Sequence, residues 1–320
     1  MSTKAPDNTI VTIGDINYLW GIFMLIASAR KAGMTEPFLV GTTGFDERAE
    51  NVLTQCGNVN VVRLDGVKRS LTCLKPHVML KAQTEFVTWA DSDAFFTGNV
   101  SEILPPDPAD GIHFRLRSPA EMPAAFRGHT LGKGASLIPD DIAEAWRRDI
   151  EEIAGSAEPA PRYPTTGSGC FCALSLARHR RFLELWDELQ RKVLPDRNVG
   201  VVDTSLKYYH QLDESTLNAC LNFIPDAPVV QPVFRMDKER ERLFMHFIAR
   251  PKPWQGWTKR AFRFFDEYVA VVNWALAQNW AMPGPLPECL KAENKQRMKR
   301  LIPWMTLKPK LANLFRKLGL

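Results

Sequence analysis

The sequence predicts an α/β fold with a mostly parallel central sheet and helices packed on its faces. Three observations lead there. Strand-like and helix-like segments alternate from residue 9 to residue 96. Apolar residues make up 45% of the 320 residues, enough to cover both faces of a sheet. Two carboxylates, Asp91 and Asp93, fall at the end of a β-rich segment, where ligands gather in sheets of this kind.

The elements follow in order. Residues 9–13, TIVTI, read as the first strand, and DINYLWGIFMLIASARKAG as a loop and then a helix that stops near Gly33. PFLVGTT is a second strand, DERAENVLTQCG a second helix and VNVVRLD a third strand. LKPHVMLKAQ predicts a helix before the fourth strand, where Phe86, Val87 and Trp89 are strand formers. Residues 104–165 hold two proline clusters and a helix, DDIAEAWRRDIEEIAG, with Asp140 or Asp141 near its cap. TTGSGCFCALS is a glycine turn leading into a strand, RHRRFLELWDELQRKV an amphipathic helix and DESTLNACLNF a shorter helix. Across 265–281, Val269, Val272, Leu276 and Trp280 form one helical stripe. There is no internal repeat.

Composition narrows the function. The net charge of +5 is concentrated at the end of the chain: nine Lys or Arg and one acid lie from Lys291 onward, leaving a net of −3 in the first 290 residues. A core of that charge does not grip nucleic acid specifically. None of the six cysteines forms a C-x-x-C pair, which argues against a zinc ribbon or redox motif and fits a reducing compartment. Cys170 and Cys172 share one face of a strand and read as packing residues. No secretory signal is read at the N-terminus, and the longest apolar run, Leu19–Ala29, is shorter than the roughly 20 residues of a membrane span. The expectation is a cytoplasmic protein, soluble or peripheral. In residues 301–320, Leu311, Leu314, Phe315 and Leu318 make an i, i+3, i+4, i+7 stripe beside Arg316 and Lys317. Such a basic amphipathic helix suits an anionic membrane surface on the inner face of the membrane, or packing on the rest of the chain.

Two stretches carry chemistry. Asp91 and Asp93 follow strand FVTWA and precede apolar AFF, so they sit amid expected core. Like charges so placed repel unless a cation lies between them, and carboxylates at i and i+2 suit a hard divalent ion. The second stretch is HFIARPKPW. His246 can complete an oxygen–nitrogen shell, and Lys252, bracketed by Pro251 and Pro253, is a point charge suited to phosphate.

Together, ADSDAFF after a strand and the later HFIARPKPW resemble glycosyltransferase family 8, the group that includes glycogenin and bacterial lipopolysaccharide galactosyltransferases. Its signatures are D-x-D and H-x-x-G-x-x-K-P-W; Ala249 stands where the second has glycine. The resemblance covers roughly residues 9–260 and implies a GT-A fold. It implies a metal site of Asp91, Asp93 and His246 that takes Mn2+ or Mg2+. It implies donor contacts from Thr12, Asp15, Tyr18, Lys75, Ser92, Gly167, Ser168 and Lys252. TGSGCF is similar to the family's N-S-G strand entry, with Gly167 in place of asparagine. QLDESTLN resembles its D-Q-x-x-L-N segment: Asp213 matches the aspartate, and Glu214 stands where glutamine is common.

What the resemblance implies is a retaining transfer of a hexose from a UDP-sugar to a glycan or lipid-linked acceptor. Asp213 and Glu214 are then the candidate catalytic carboxylates, acting through a covalent glycosyl intermediate or by steadying a front-face substitution. Residues 1–264 form the expected catalytic domain and 265–320 a helical extension with the basic tail. Competing readings are a nucleotidyltransferase, disfavoured by the single glycine of TIGDINY, a nucleotide-sugar-binding protein without transfer, and a nucleic-acid binder using its basic tail.

Overall fold

The computed structural model describes residues 7–231 and 243–305. The expected opening alternation forms: strand β1 (Asn8–Gly14), helix α1 (Leu19–Lys31), β2 (Phe38–Thr42), α2 (Glu47–Thr54) and β3 (Val59–Arg63). Helix α1 stops as expected, with Gly33 at φ 81° and the amide of Met34 donating back to the Ala29 carbonyl. The segment before the fourth strand is shorter and tighter than expected. A 3-10 turn at Leu71–Leu74 leads into a helix, α3, of only Lys75–Met79, with Pro76 in its first turn. Strand β4 (Phe86–Ala90) and the short β5 (Ala94–Phe96) then flank the two acids.

The second half departs from a parallel pattern. Strand β6 (Gly111–Leu116) is followed by the short helix α4 (Met122–Ala125), helix α5 (Asp140–Ala154), β7 (Gly167–Ser175) and α6 (Leu176–Val193). Helix α7 (Asp213–Phe223), β8 (Val229–Gln231), β9 (Phe244–His246) and α8 (Phe265–Ala277) complete the labelled elements; residues 295–305 are also helical. The sheet runs β3-β2-β1-β4-β7-β6-β8. β1, β2, β3 and β4 pair in parallel, as does β6 with β8, whereas β7 is antiparallel to both β4 and β6.

Alternation along the strands splits the core into two layers. Ile10, Val40, Ala90 and Phe171 face one layer with α1, α2 and α8; Val11, Leu39, Trp89 and Cys172 face the other with α3, α5, α6 and α7. The apolar run Leu19–Ala29 is therefore a core helix, buried on nearly all sides because α8 covers the face the sheet does not. Among the described residues no helix is long and apolar enough to cross a membrane.

Two local expectations change. Helix α5 begins at Asp140 with Pro139 in the cap position, so Asp140 and Asp141 occupy the first turn, where acids favour the dipole, and neither caps it. On α8 the buried face is Phe265, Tyr268, Val269, Val271, Val272 and Ala275; Leu276 is 43% exposed and Trp280 lies beyond the helix end. Val269 and Val272 of the expected stripe are buried and Trp280 packs edge-on against Phe23 of α1, so Leu276 alone departs from it. The tail residues Leu311, Leu314, Phe315, Arg316, Lys317 and Leu318 lie outside the described residues.

Candidate active site

The order of strands reverses between β1, β2 and β3 on one side and β4 on the other, and the crevice at such a point lies at the carboxyl ends of the strands. Asp91 leaves β4 there. Its amide donates to the Cys170 carbonyl of β7 at 3.0 Å, and its own carbonyl accepts from Ala94 at 3.1 Å, closing a tight turn into β5. β5 pairs antiparallel with β9, placing Ala94 opposite His246, and the Phe247 amide donates to the Asp93 carbonyl at 2.9 Å. This two-stranded ribbon delivers the distant histidine to the acids.

Asp91, Asp93 and His246 each offer one ligand atom, all within 4.8 Å of one another. The His246 Nε2 lies 3.0 Å from Asp93 Oδ1 and 3.5 Å from Asp91 Oδ2. Two hard carboxylate oxygens with one imidazole fit Mn2+ or Mg2+. The two carboxylates are also held from behind. Asp91 Oδ1 accepts from Trp89 Nε1 at 2.8 Å and from Lys75 Nζ at 3.0 Å. Asp93 Oδ2 is paired with Lys252, whose ammonium also donates to the Phe247 carbonyl at 2.7 Å. Burial would raise the Asp93 carboxyl, but His246 and Lys252 outweigh it and hold it well below the usual range. Burial would lower the His246 imidazole, but Cys170 and Asp93 outweigh it and hold it well above its ordinary value.

Across a cleft of about 320 Å³ stand Asp213 and Glu214, the first two residues of α7. Lys75 joins the two sides. Its three protons find Asp91 at 3.0 Å, Asp213 Oδ2 at 2.8 Å and the Gly169 carbonyl at 2.9 Å, and its ammonium lies 4.8 Å from the centre of the Trp89 ring. Burial disfavours the Lys75 ammonium, yet Asp213 and Asp91 hold it well above the usual lysine range. Burial pushes the Asp213 carboxyl up to about 6; Lys75 pulls it down, while Asp91 and Glu214 push it up.

The sequence-predicted residues divide into two groups. Tyr18, Lys75, Asp91, Asp93, Ser168, Asp213, Glu214, His246 and Lys252 all line the cleft. Thr12, Asp15, Ser92 and Gly167 do not contribute to its walls. Thr12 is fully buried in β1, and Asp15 accepts from the Asn17 amide at 2.9 Å to start a 3-10 turn. Gly167 is demanded by packing: a Cβ there would lie 2.0 Å from the Phe114 ring. Ser92 instead lays its carbonyl against α1, where a Cβ on Gly21 would meet it at 2.2 Å and the Trp254 ring at 2.6 Å. Trp254 in turn packs edge-on to Tyr18 at 5.9 Å. Ala249 holds the left-handed conformation, φ 74°, that a glycine would adopt freely, at a cost of about 1–2 kcal/mol.

Sequence reading missed Trp89, Gly21 and Arg117. Trp89 looked like strand core, and its indole N–H is visible only once Asp91 is folded beside it. Arg117 has no local signal, since its partner is 97 residues away. The six cysteines are free, and burial pushes the thiols of Cys56, Cys73 and Cys172 up to about 12, in keeping with packing roles.

No protein-family model matches the sequence, and no curated protein matches it either. Similarity appears in the solved structures. The galactosyltransferase LgtC, solved in complex with donor and acceptor sugar analogs, is 13% identical over 83% of this chain and 95% of its own, with a TM-score of 0.52. The glycosyltransferase GlyE of Streptococcus pneumoniae is 12% identical over 87% of this chain and 66% of its own, with a TM-score of 0.53. The bifunctional glycosyltransferase WbbM is 11% identical, with a TM-score of 0.52 over 85% of this chain; this chain spans 50% of WbbM. At these identities the likeness is one of fold. The fold is that of the GT-A glycosyltransferases, the architecture that the resemblance to family 8 implied.

Proposed function

We propose that this chain is a divalent-metal-dependent glycosyltransferase that moves a hexose from a UDP-sugar to a glycan or lipid-linked acceptor, with retention of anomeric configuration. The observation that carries this reading is the convergence of Asp91, Asp93 and His246 in a GT-A fold, facing Asp213 and Glu214 across one cleft. Residues 1–264 carry the catalytic unit and 265–320 extend it, at work in the cytoplasm.

Asp91, Asp93 and His246 would hold the cation, Mn2+ or Mg2+. When bound, it supplies Lewis-acid neutralisation of the charge that develops on the departing diphosphate. The remaining work falls to side chains. Lys252 neutralises Asp93 and adds fixed positive charge to the diphosphate side of the cleft. Tyr18, braced by Trp254, offers a ring face for the nucleotide base. Asp213 and Glu214 set negative charge toward the sugar, whose anomeric carbon gains positive charge as its bond to the phosphate oxygen breaks. Exposed Val201, Val202 and Ile248 give the cleft wall apolar patches.

The test is UDP release from a panel of nucleotide sugars, with and without Mn2+. We expect release that stops on chelation, and loss of Mn2+-dependent UDP binding in Asp93→Asn and His246→Ala. Failure of the wild-type protein to bind UDP in the presence of Mn2+ overturns the reading.

A further inference from the structure

The two oxygens of the Glu214 carboxylate are held by two different donors. Arg117 Nη2 donates to Oε1, and the Gly169 amide donates to Oε2 at 3.1 Å. Both side chains of the ion pair are largely enclosed, 13% exposed for Arg117 and 17% for Glu214. Arg117 is itself fixed at the exit of β6. Its Nη1 donates to the Gly167 carbonyl at 2.5 Å and to the Thr166 hydroxyl at 3.2 Å. Its amide donates to the Thr166 carbonyl at 2.8 Å, and its carbonyl accepts from the Thr165 hydroxyl at 2.8 Å. The guanidinium therefore has little freedom, and whatever it grips is fixed with it.

This arrangement distinguishes a carboxylate from an amide. A carboxylate accepts at both ends, whereas a glutamine side chain has one oxygen and one NH2 group. Whichever way a glutamine at 214 turned, its NH2 would face either the guanidinium or the Gly169 amide, donor against donor. One buried polar group would then lose its partner. The segment that this stretch resembles commonly carries glutamine at the position of Glu214. The exchange in this chain is matched by a cation from another element.

We propose that Arg117 is a positioning residue that selects a carboxylate at 214 and holds it in place on the cleft wall for glycosyl transfer; the catalytic part of this inference rests on the function proposed above. Arg117 acts through Glu214 and does not line the cleft itself. Its loss leaves the donor and metal contacts in place and releases the carboxylate from its aim, so turnover falls while donor affinity holds.

Five proteins decide the matter: wild type, Arg117→Met, Arg117→Lys, Glu214→Gln and the Arg117→Met/Glu214→Gln double variant. Each is measured for UDP release with Mn2+, for UDP affinity by calorimetry and for urea unfolding. Arg117→Met is expected to lower kcat about tenfold with the donor KM within about threefold of wild type, and Arg117→Lys to recover part of the loss. Glu214→Gln is expected to lower the urea midpoint in the Arg117 background and to leave it unchanged in the Arg117→Met background, because the donor clash is gone. An Arg117→Met protein with wild-type kcat, or two substitutions whose effects simply add, overturns the proposal. If the wild-type protein releases no UDP from any donor, the glycosyl-transfer reading fails instead. The unfolding cycle then decides alone: additive midpoints overturn the pairing, and non-additive ones uphold the selection of a carboxylate.

Discussion

Lys75 is buried, and each of its three protons has a partner inside the protein. Its geometry makes it a tie between Asp91 and Asp213. Removing one partner of a buried ion pair leaves uncompensated charge behind. Lys75→Met should therefore lower unfolding stability by about 3–5 kcal/mol in urea titrations, and a loss under about 1 kcal/mol would contradict the tie. Asp213 gives a second consequence at this scale. With its carboxyl near pH 6, it is charged and grips Lys75 above that pH, and it releases the lysine below. Activity should fall as pH drops through about 6, read as kcat/KM against pH. Unfolding is not the cause. The folded-state value is raised above the ordinary 3.8, so this group's stabilising contribution is complete below pH 3.8 and is lost as pH rises through about 6. An activity profile flat to pH 5 would contradict the assignment.

At the scale of elements, the turn between β4 and β5 leans on helix α1. Helix α1 can lie against the Ser92 carbonyl only because Gly21 has no Cβ. Gly21→Ala must push Ser92 or Trp254 aside, and Ser92 stands between the two acids. The expected outcome is a folded protein, by circular dichroism, whose Mn2+-dependent UDP affinity falls about tenfold, with a stability cost of about 1–3 kcal/mol from overpacking. Unchanged affinity would show that the turn does not lean on α1. The elements themselves were largely legible. β1 through β4 and α7 announce themselves by period and by flanking turn residues. The direction of β7 did not, because pairing partners are chosen in space: TTGSGCFCALS reads equally well as a parallel or an antiparallel strand. α8 was found with Val269 and Val272 on its buried face, but Leu276 was assigned there too, and only the packing of α1 shows which neighbouring positions are covered.

For the whole molecule, charge is divided by position. The first 290 residues are mildly acidic, and the last thirty are strongly basic. We propose that this end of the chain brings the catalytic unit to anionic lipid, where a lipid-linked acceptor would reside. Lys308, Lys310, Arg316 and Lys317 lie beyond residue 305, and each basic residue near such a surface contributes about 1 kcal/mol. A chain ending at residue 305 should release UDP normally but bind vesicles containing anionic lipid much more weakly than the full chain. Equal binding of the two would remove the tail from the account.

The residues themselves determined the layer order, the acids at a strand end and the late histidine–lysine segment, because hydrophobic period and short-range motif are local properties of the chain. Only the folded chain decided that Lys75 faces inward, that Gly167 serves packing, and that Arg117 reaches Glu214. Those outcomes depend on which side chains and polar groups meet once distant strands and helices have packed, and no stretch of sequence contains that information by itself.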